Sequence, residues 1–254
     1  MSYFPFIAFF SLSLFLGSLL SLSSSSWVLI WAGLEINMLS FIPIMMMSSP
    51  DLHSESAMKY FLAQALGSGL ILMGGFSSFF YVSAIMPTWT HHTFLFMGIL
   101  IKLGVPPCHF WFPAVMSFIS WPMCMLLTTW QKLAPLLLLI TSVNTTTSTL
   151  LIYIILMSSM ISAVGGITQT QLKPLLAYSS IGHMSWMITA SVMSTPIALL
   201  YFLTYIIISL PIMAILHINN FTTMKASPMT LSLKPVYATF LFIALISLGG
   251  VPPL

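Results

Sequence analysis

The chain has 254 residues, of which 59% are hydrophobic and 4% charged; the charges are six Lys and three Asp or Glu, with no Arg. A soluble domain carries about 25% charged residues, so nine charges cannot build a solvated surface. A mean hydropathy of +1.07 excludes a disordered chain, and scattered lysines exclude a nucleic-acid binder. Outer-membrane barrels alternate apolar and polar residues, whereas here the apolar residues form continuous blocks. The expected fold class is all-α: a polytopic transmembrane helix bundle forming a single domain over residues 1–254.

In chain order, nine apolar blocks are long enough to span a bilayer: 3–22, 27–47, 58–85, 93–119, 121–142, 148–166, 172–193, 196–217 and 233–254. The first follows no positive n-region, so it reads as a retained helix rather than a cleaved leader. Short polar segments separate the blocks: SLSSSS, SSPDLHSES, the tip from Thr90 to His92, NTTTS, TQTQLK and HINNFTTMKASPMTLSLK. Lys59, Lys173, Lys225 and Lys234 all fall at even-numbered loops. The positive-inside rule then places the N-terminus and the even loops on the cytoplasmic or matrix side.

The fourth block carries Pro106 and Pro107 directly after Gly104 and Val105. Consecutive prolines remove two amide donors and clash with the preceding turn, so the helix must break there. At membrane depth such backbone is tolerated only where it is buried in protein or lines a wet cavity. LGVPP at 103–107 returns as LGGVPP at 248–253. Paired interruptions are the pattern of repeat-built transporters, with a first half over about 1–142 and an incomplete second half over about 143–254. The broken helix is expected to offer unpaired carbonyls and room for water.

Glu35, Lys102 and Lys132 lie inside predicted spans. Each costs roughly 2.5–3.5 kcal/mol at a helix centre. Their plain readings are an inert buried pair for Glu35 and snorkelling for Lys102. Lys132 is central in its block, and Thr128 and Thr129 share its face. His183 is mid-span, with Ser179 and Ser180 one turn earlier; it is either a neutral ring satisfied by one hydrogen bond or a proton relay. His109 either satisfies backbone groups at the break or titrates. His91 and His92 read as loop residues without a metal-site pattern. Cys108 and Cys124 read as buried free thiols. No haem, iron–sulfur or dinucleotide motif is readable. The chemistry implied is proton movement among Glu35, Lys102, Lys132 and His183, through water and hydroxyl side chains.

Several motifs, in order, carry a resemblance. WAGLEINMLSFIPI, MKYFLAQA, KLGVPPCHFWFP, WQKLAP and TQTQLKPLLAYSSIGHMSW resemble those of the NADH dehydrogenase subunit 2 family, the mitochondrially encoded antiporter-like membrane-arm subunits of respiratory complex I. The resemblance covers nearly the whole chain. It places the family's channel glutamate at Glu35, its lysines at Lys102 and Lys132, and its histidine at His183. It implies a proton-translocating subunit of NADH:ubiquinone oxidoreductase in the mitochondrial inner membrane, with other membrane-arm subunits and the bilayer as partners and no nucleic acid. NADH, FMN, iron–sulfur clusters and ubiquinone would be handled by other subunits, leaving this chain without a cofactor or metal. The span number resembles animal forms that lack the first three helices. Two positions depart from the pattern: Ala114, where the family often has an acid, and Cys108, where phenylalanine is usual. Set against the family, the chain reads as truncated at GGVPPL, before a distal lysine. The alternatives are a free-standing cation/proton antiporter of related fold, and a scaffold that bridges neighbouring subunits.

Overall fold

The computed structural model describes residues 4–47, 50–82, 88–143, 145–219 and 235–249. Its described elements are helices in this order: α1 Phe4–Ser23, α2 Trp27–Met46, α3 Pro50–Val82, α4 Thr88–Leu103, α5 Trp111–Phe118, α6 Trp121–Thr128, α7 Trp130–Ser142, α8 Thr145–Ile167, α9 Leu172–Met193, α10 Thr195–Ile218 and α11 Pro235–Leu248. Among the described residues, six helical segments are long and apolar enough to cross a membrane. Pro50 opens α3, so most of the polar stretch expected as a loop is helical. His91 and His92 likewise lie in α4, rings 3.8 Å apart, rather than in a loop. Lys225, Lys234 and the second Pro-Pro motif lie outside the described residues.

Serine is frequent in these helices because each hydroxyl can donate to a carbonyl one turn back. Ser18, Ser21 and Ser158 are buried and bond to Phe15, Ser18 and Ile155 in this way. The polar atom is thus satisfied without a partner helix. Close packing comes from glycine: a Cβ at Gly98 of α4 would lie 2.6 Å from the Gly67 carbonyl oxygen of α3. Small residues let helix backbones approach in this manner inside membranes.

The buried apolar residues form two clusters. One gathers Phe41, Met45, Phe112, Met116, Ile119, Cys124, Ile181 and Met213. The other gathers Ile30, Leu34, Ile71, Leu100, Leu103, Leu136, Met184 and Phe202. Helices α2, α9 and α10 each pass from one cluster into the other. Lys59 and Lys173 mark one end of the first cluster. The Lys59 ammonium lies 5.2 Å from the Phe118 ring, and Lys173 donates to the Ile119 carbonyl at 2.6 Å. Both therefore reach the α5–α6 corner, which puts the N-terminal parts of α3 and α9 that carry them on one side of the bundle.

Among the described residues, two of the expected spans are interrupted, from different causes. At the first, α4 ends in a Schellman motif: Gly104 N–H donates to Ile101 O and Val105 N–H to Leu100 O, both at 3.1 Å. Gly104 takes φ of 71°, the left-handed conformation that motif needs. Pro106 and Pro107 then prevent the helix from resuming before Trp111. The second interruption, at Thr129, divides the block expected as one continuous span. Thr128 and Thr129 turn their hydroxyls back onto the Cys124 and Met125 carbonyls at 2.9 and 2.7 Å. Such back-bonding bends helices. Pro135 removes the amide that would have met the Gln131 carbonyl.

Candidate functional site

A set of buried and half-buried polar residues lies where the helices pass between the two apolar clusters. Glu35 and Asn37 come from α2, Tyr60 and Gln64 from α3, and Lys102 from the last turn of α4. Gln131 and Lys132 come from α7, Ser180 and His183 from α9, and Tyr201 and Tyr205 from α10. Lys102 is 5% exposed and Lys132 is 2% exposed. Neither lysine snorkels to an interface.

Lys102 occupies the C-terminal turn of α4, where the helix dipole favours a cation. Its backbone is fastened from α3: Gln64 donates from Nε2 to the Lys102 carbonyl at 3.2 Å. Trp111 donates from Nε1 to the Ile101 carbonyl at 3.1 Å. The Leu100, Ile101 and Lys102 carbonyls are therefore paired with protein groups, where open acceptors were expected. Among the described residues the Lys102 ammonium makes no hydrogen bond, and it feels the field of the Glu35 carboxylate. Glu35 and Lys102 close no ion pair within 4 Å. Glu35 itself is half-buried.

Lys132 has no carboxylate beside it. Its ammonium donates to Ser180 Oγ at 3.1 Å and lies 4.5 Å from the Phe112 ring centroid, a cation–π contact. Ser180 in turn donates to the Ala177 carbonyl. The Tyr205 hydroxyl lies against the hydroxyls of Ser180, Ser209 and Thr128. His183 adjoins this group: its ring centroid is 5.3 Å from that of Tyr205, and its Nδ1 is 3.0 Å from the Tyr201 hydroxyl. His183 also feels the Lys132 charge. Thr128 joins the cluster as expected, but its hydroxyl is committed to its own helix backbone.

Other sequence candidates fall elsewhere. His109 Nδ1 faces the Pro107 carbonyl at 3.3 Å, within the break loop. Cavities of about 400 and 330 Å³ lie between that loop and α8, lined by His109, Phe110, Met157, Ile161 and Tyr178 among others. Their walls are mainly apolar and include neither lysine. Cys108 is exposed on the loop, which corrects its reading as a buried thiol; Cys124 is buried. Among the described residues no group of His, Cys, Asp or Glu could hold a metal.

Sequence reasoning missed Asn37, Tyr60, Gln64, Gln131 and Tyr205. The signal was present: each is a polar side chain inside an apolar block. A search restricted to charge and histidine passes over them.

The arrangement has known counterparts. Residues 24–254 match the family described as NADH:quinone oxidoreductase/Mrp antiporter, transmembrane. The chain is 40% identical to NADH-ubiquinone oxidoreductase chain 2 of Lumbricus terrestris, over 98% of this chain and 74% of that protein. It is 39% identical to the protein of the same name from Anopheles gambiae, over 96% and 72%. Among solved structures it superposes on a chain of respiratory complex I from Thermus thermophilus with bound aureothin. The TM-score is 0.85 at 25% identity, over 98% of this chain and 60% of that one. A chain of the membrane-bound sulfane sulfur reductase, an archaeal respiratory membrane complex, shares the fold at a TM-score of 0.77 and 18% identity, over 96% and 56%. The chain thus spans about three quarters of the two named relatives and 60% of the Thermus chain.

Proposed function

The chain belongs to the NADH:quinone oxidoreductase/Mrp antiporter transmembrane family, among relatives named NADH-ubiquinone oxidoreductase chain 2, and from that premise we propose that it is a proton-translocating membrane subunit of NADH:ubiquinone oxidoreductase. It works in the mitochondrial inner membrane beside the other membrane-arm subunits. NADH oxidation and quinone reduction take place elsewhere in the complex, and this chain contributes no cofactor of its own.

The observation that carries the reading is Lys132. A cation buried to 2% exposure without a carboxylate partner is costly to keep charged. Its hydrogen-bond partner is the Ser180 hydroxyl, which can both accept and donate, so it offers a route for a proton to leave the ammonium and be returned. Glu35 and Lys102 form the neighbouring charged site, and Glu35 biases Lys102 through its field without a closed ion pair. His183 with Tyr201 extends the polar layer on the far side of Lys132. Proton relay by Glu35, Lys102, Lys132 and His183 is the role this geometry supports best.

The test is Lys132→Met in the assembled complex. Methionine keeps the length and the apolar stem but carries no proton. Normal abundance of the complex with proton pumping abolished is expected. Undiminished pumping per electron transferred would overturn the assignment.

A further inference from the structure

A second polar chain runs beside Lys132. Gln131, the residue before it on α7, donates from Nε2 to Asn37 Oδ1 of α2 at 3.0 Å. The Tyr60 hydroxyl of α3 donates to Gln131 Oε1 at 3.3 Å. Asn37 is 2% exposed and Tyr60 is 1% exposed. One amide therefore ties three helices together at the level of the buried charges.

The helices it joins are the ones that carry or hold the charged groups. Asn37 stands two residues after Glu35 on α2. Tyr60 feels the Glu35 carboxylate, and one turn further along α3 Gln64 fastens the Lys102 carbonyl. Gln131 is covalently next to Lys132, in the first turn of α7 after the Thr129 interruption. That turn is held weakly by its own backbone, because Pro135 leaves the Gln131 carbonyl without its helical donor. Its side-chain bonds to α2 and α3 then decide where the turn sits.

We propose that Gln131 is a positioning residue for proton transfer, whose bonds to Asn37 and Tyr60 hold Lys132 in register with the Glu35–Lys102 pair. A change of charge at Glu35 acts on the Tyr60 hydroxyl and, through Gln131, on the turn that carries Lys132. The 3.3 Å bond from Tyr60 is long for a hydroxyl donor, which prefers about 2.7–2.8 Å. The inference rests on the proton-transfer role given above to Lys132.

The experiment compares variants of the full chain in the intact complex, reconstituted in sealed vesicles. Complex abundance is read on native gels and protons pumped per electron in the vesicles. Gln131→Asn shortens the amide by one methylene and breaks the bridge. Adding Asn37→Gln exchanges the two lengths and restores the summed reach. The single variant is expected to lower pumping about fivefold at unchanged electron transfer, and the swapped pair, which restores only the link between 37 and 131, to recover to about the level of Tyr60→Phe. Tyr60→Phe keeps the ring against Phe41 and Trp111 and removes only the hydroxyl; it is expected to lower pumping about two- to threefold. Should Gln131→Asn fail to assemble, Tyr60→Phe alone decides. Wild-type pumping in either assembled single variant overturns the inference, as does a swapped pair no better than Gln131→Asn. Lys132→Met in parallel separates the two levels. If it pumps normally, the proton-transfer role falls; if it is silent while the Gln131 variants are normal, only the bridge falls.

Discussion

Replacing Gly98 by alanine should uncouple the α3–α4 contact on which Lys102 depends. The new Cβ would lie 2.6 Å from the Gly67 carbonyl oxygen, 2.7 Å from Ile71 Cγ1 and 2.9 Å from Ile71 N. Two of these are backbone atoms that cannot rotate away. Ordinary contact begins at 3.4 Å, so the helices must separate by about 0.8 Å (3.4 − 2.6) at this point. Overpacking of that kind costs about 1–3 kcal/mol. The shift also reaches Lys102, one turn further along α4, whose carbonyl accepts from Gln64 of α3. A misplacement near 1 Å can cost about a hundredfold in a positioned reaction. Gly69→Ala is the control, because a Cβ there meets nothing within 4 Å. It should be neutral, or stabilising by about 0.5–1 kcal/mol through helix propensity. The assay is thermal inactivation of the detergent-solubilised complex together with protons pumped per electron in vesicles. Gly98→Ala should lose both stability and pumping while Gly69→Ala loses neither. Equal behaviour of the two variants would refute the account of the α3–α4 contact.

Gly104→Ala places an L side chain at φ of 71°, at a strain of about 1–2 kcal/mol, with its Cβ 3.0 Å from Phe112 Cβ; lower complex yield at raised temperature checks this. Ser180→Ala removes the acceptor of the Lys132 ammonium and leaves a buried cation with one partner fewer, so pumping should fall by about tenfold with assembly intact, given about 1.5–3 kcal/mol for a hydrogen bond to a charged group. Ser179→Ala, whose hydroxyl bonds only the Leu176 carbonyl, should pump within about twofold of wild type, because an i−3 bond of that kind adds little; parallel vesicle assays distinguish the two serines.

The helices were legible in the apolar blocks, because a membrane span needs little beyond length and hydropathy. The break at Pro106–Pro107 was legible for the same reason: proline acts locally, wherever the chain goes next. Lys102 and Lys132 were visible as charges in apolar sequence, and their burial follows from the cost of leaving them in lipid. The partners were not legible. Ser180 is 48 residues from Lys132 in sequence, and nothing in YSSIGH tells which of its serines faces the lysine. Nor could the sequence tell that the carbonyls after Leu100 are met by Gln64 and Trp111, since both donors arrive from other segments. The Thr129 interruption lay between the two cases: paired threonines and Pro135 are local signals, but threonines mid-block read equally as a polar stripe.

The position of the buried charges follows from how the bundle handles its two cores. The buried lysines lie where α2, α9 and α10 pass from one apolar cluster into the other. Both lysines lie next to a helix interruption there, Lys102 before the first and Lys132 after the second. Uninterrupted helices hold side chains in fixed register, and a fixed buried cation beside a fixed carboxylate would settle into a closed ion pair that is hard to open at low dielectric. The structure avoids that outcome. Glu35 influences Lys102 without an ion pair within 4 Å, while Lys132 is held by a hydroxyl and an aromatic ring. These partners keep the Lys132 ammonium in place without closing an ion pair. Under the proposed proton relay, such a site would pass charge onward rather than store it.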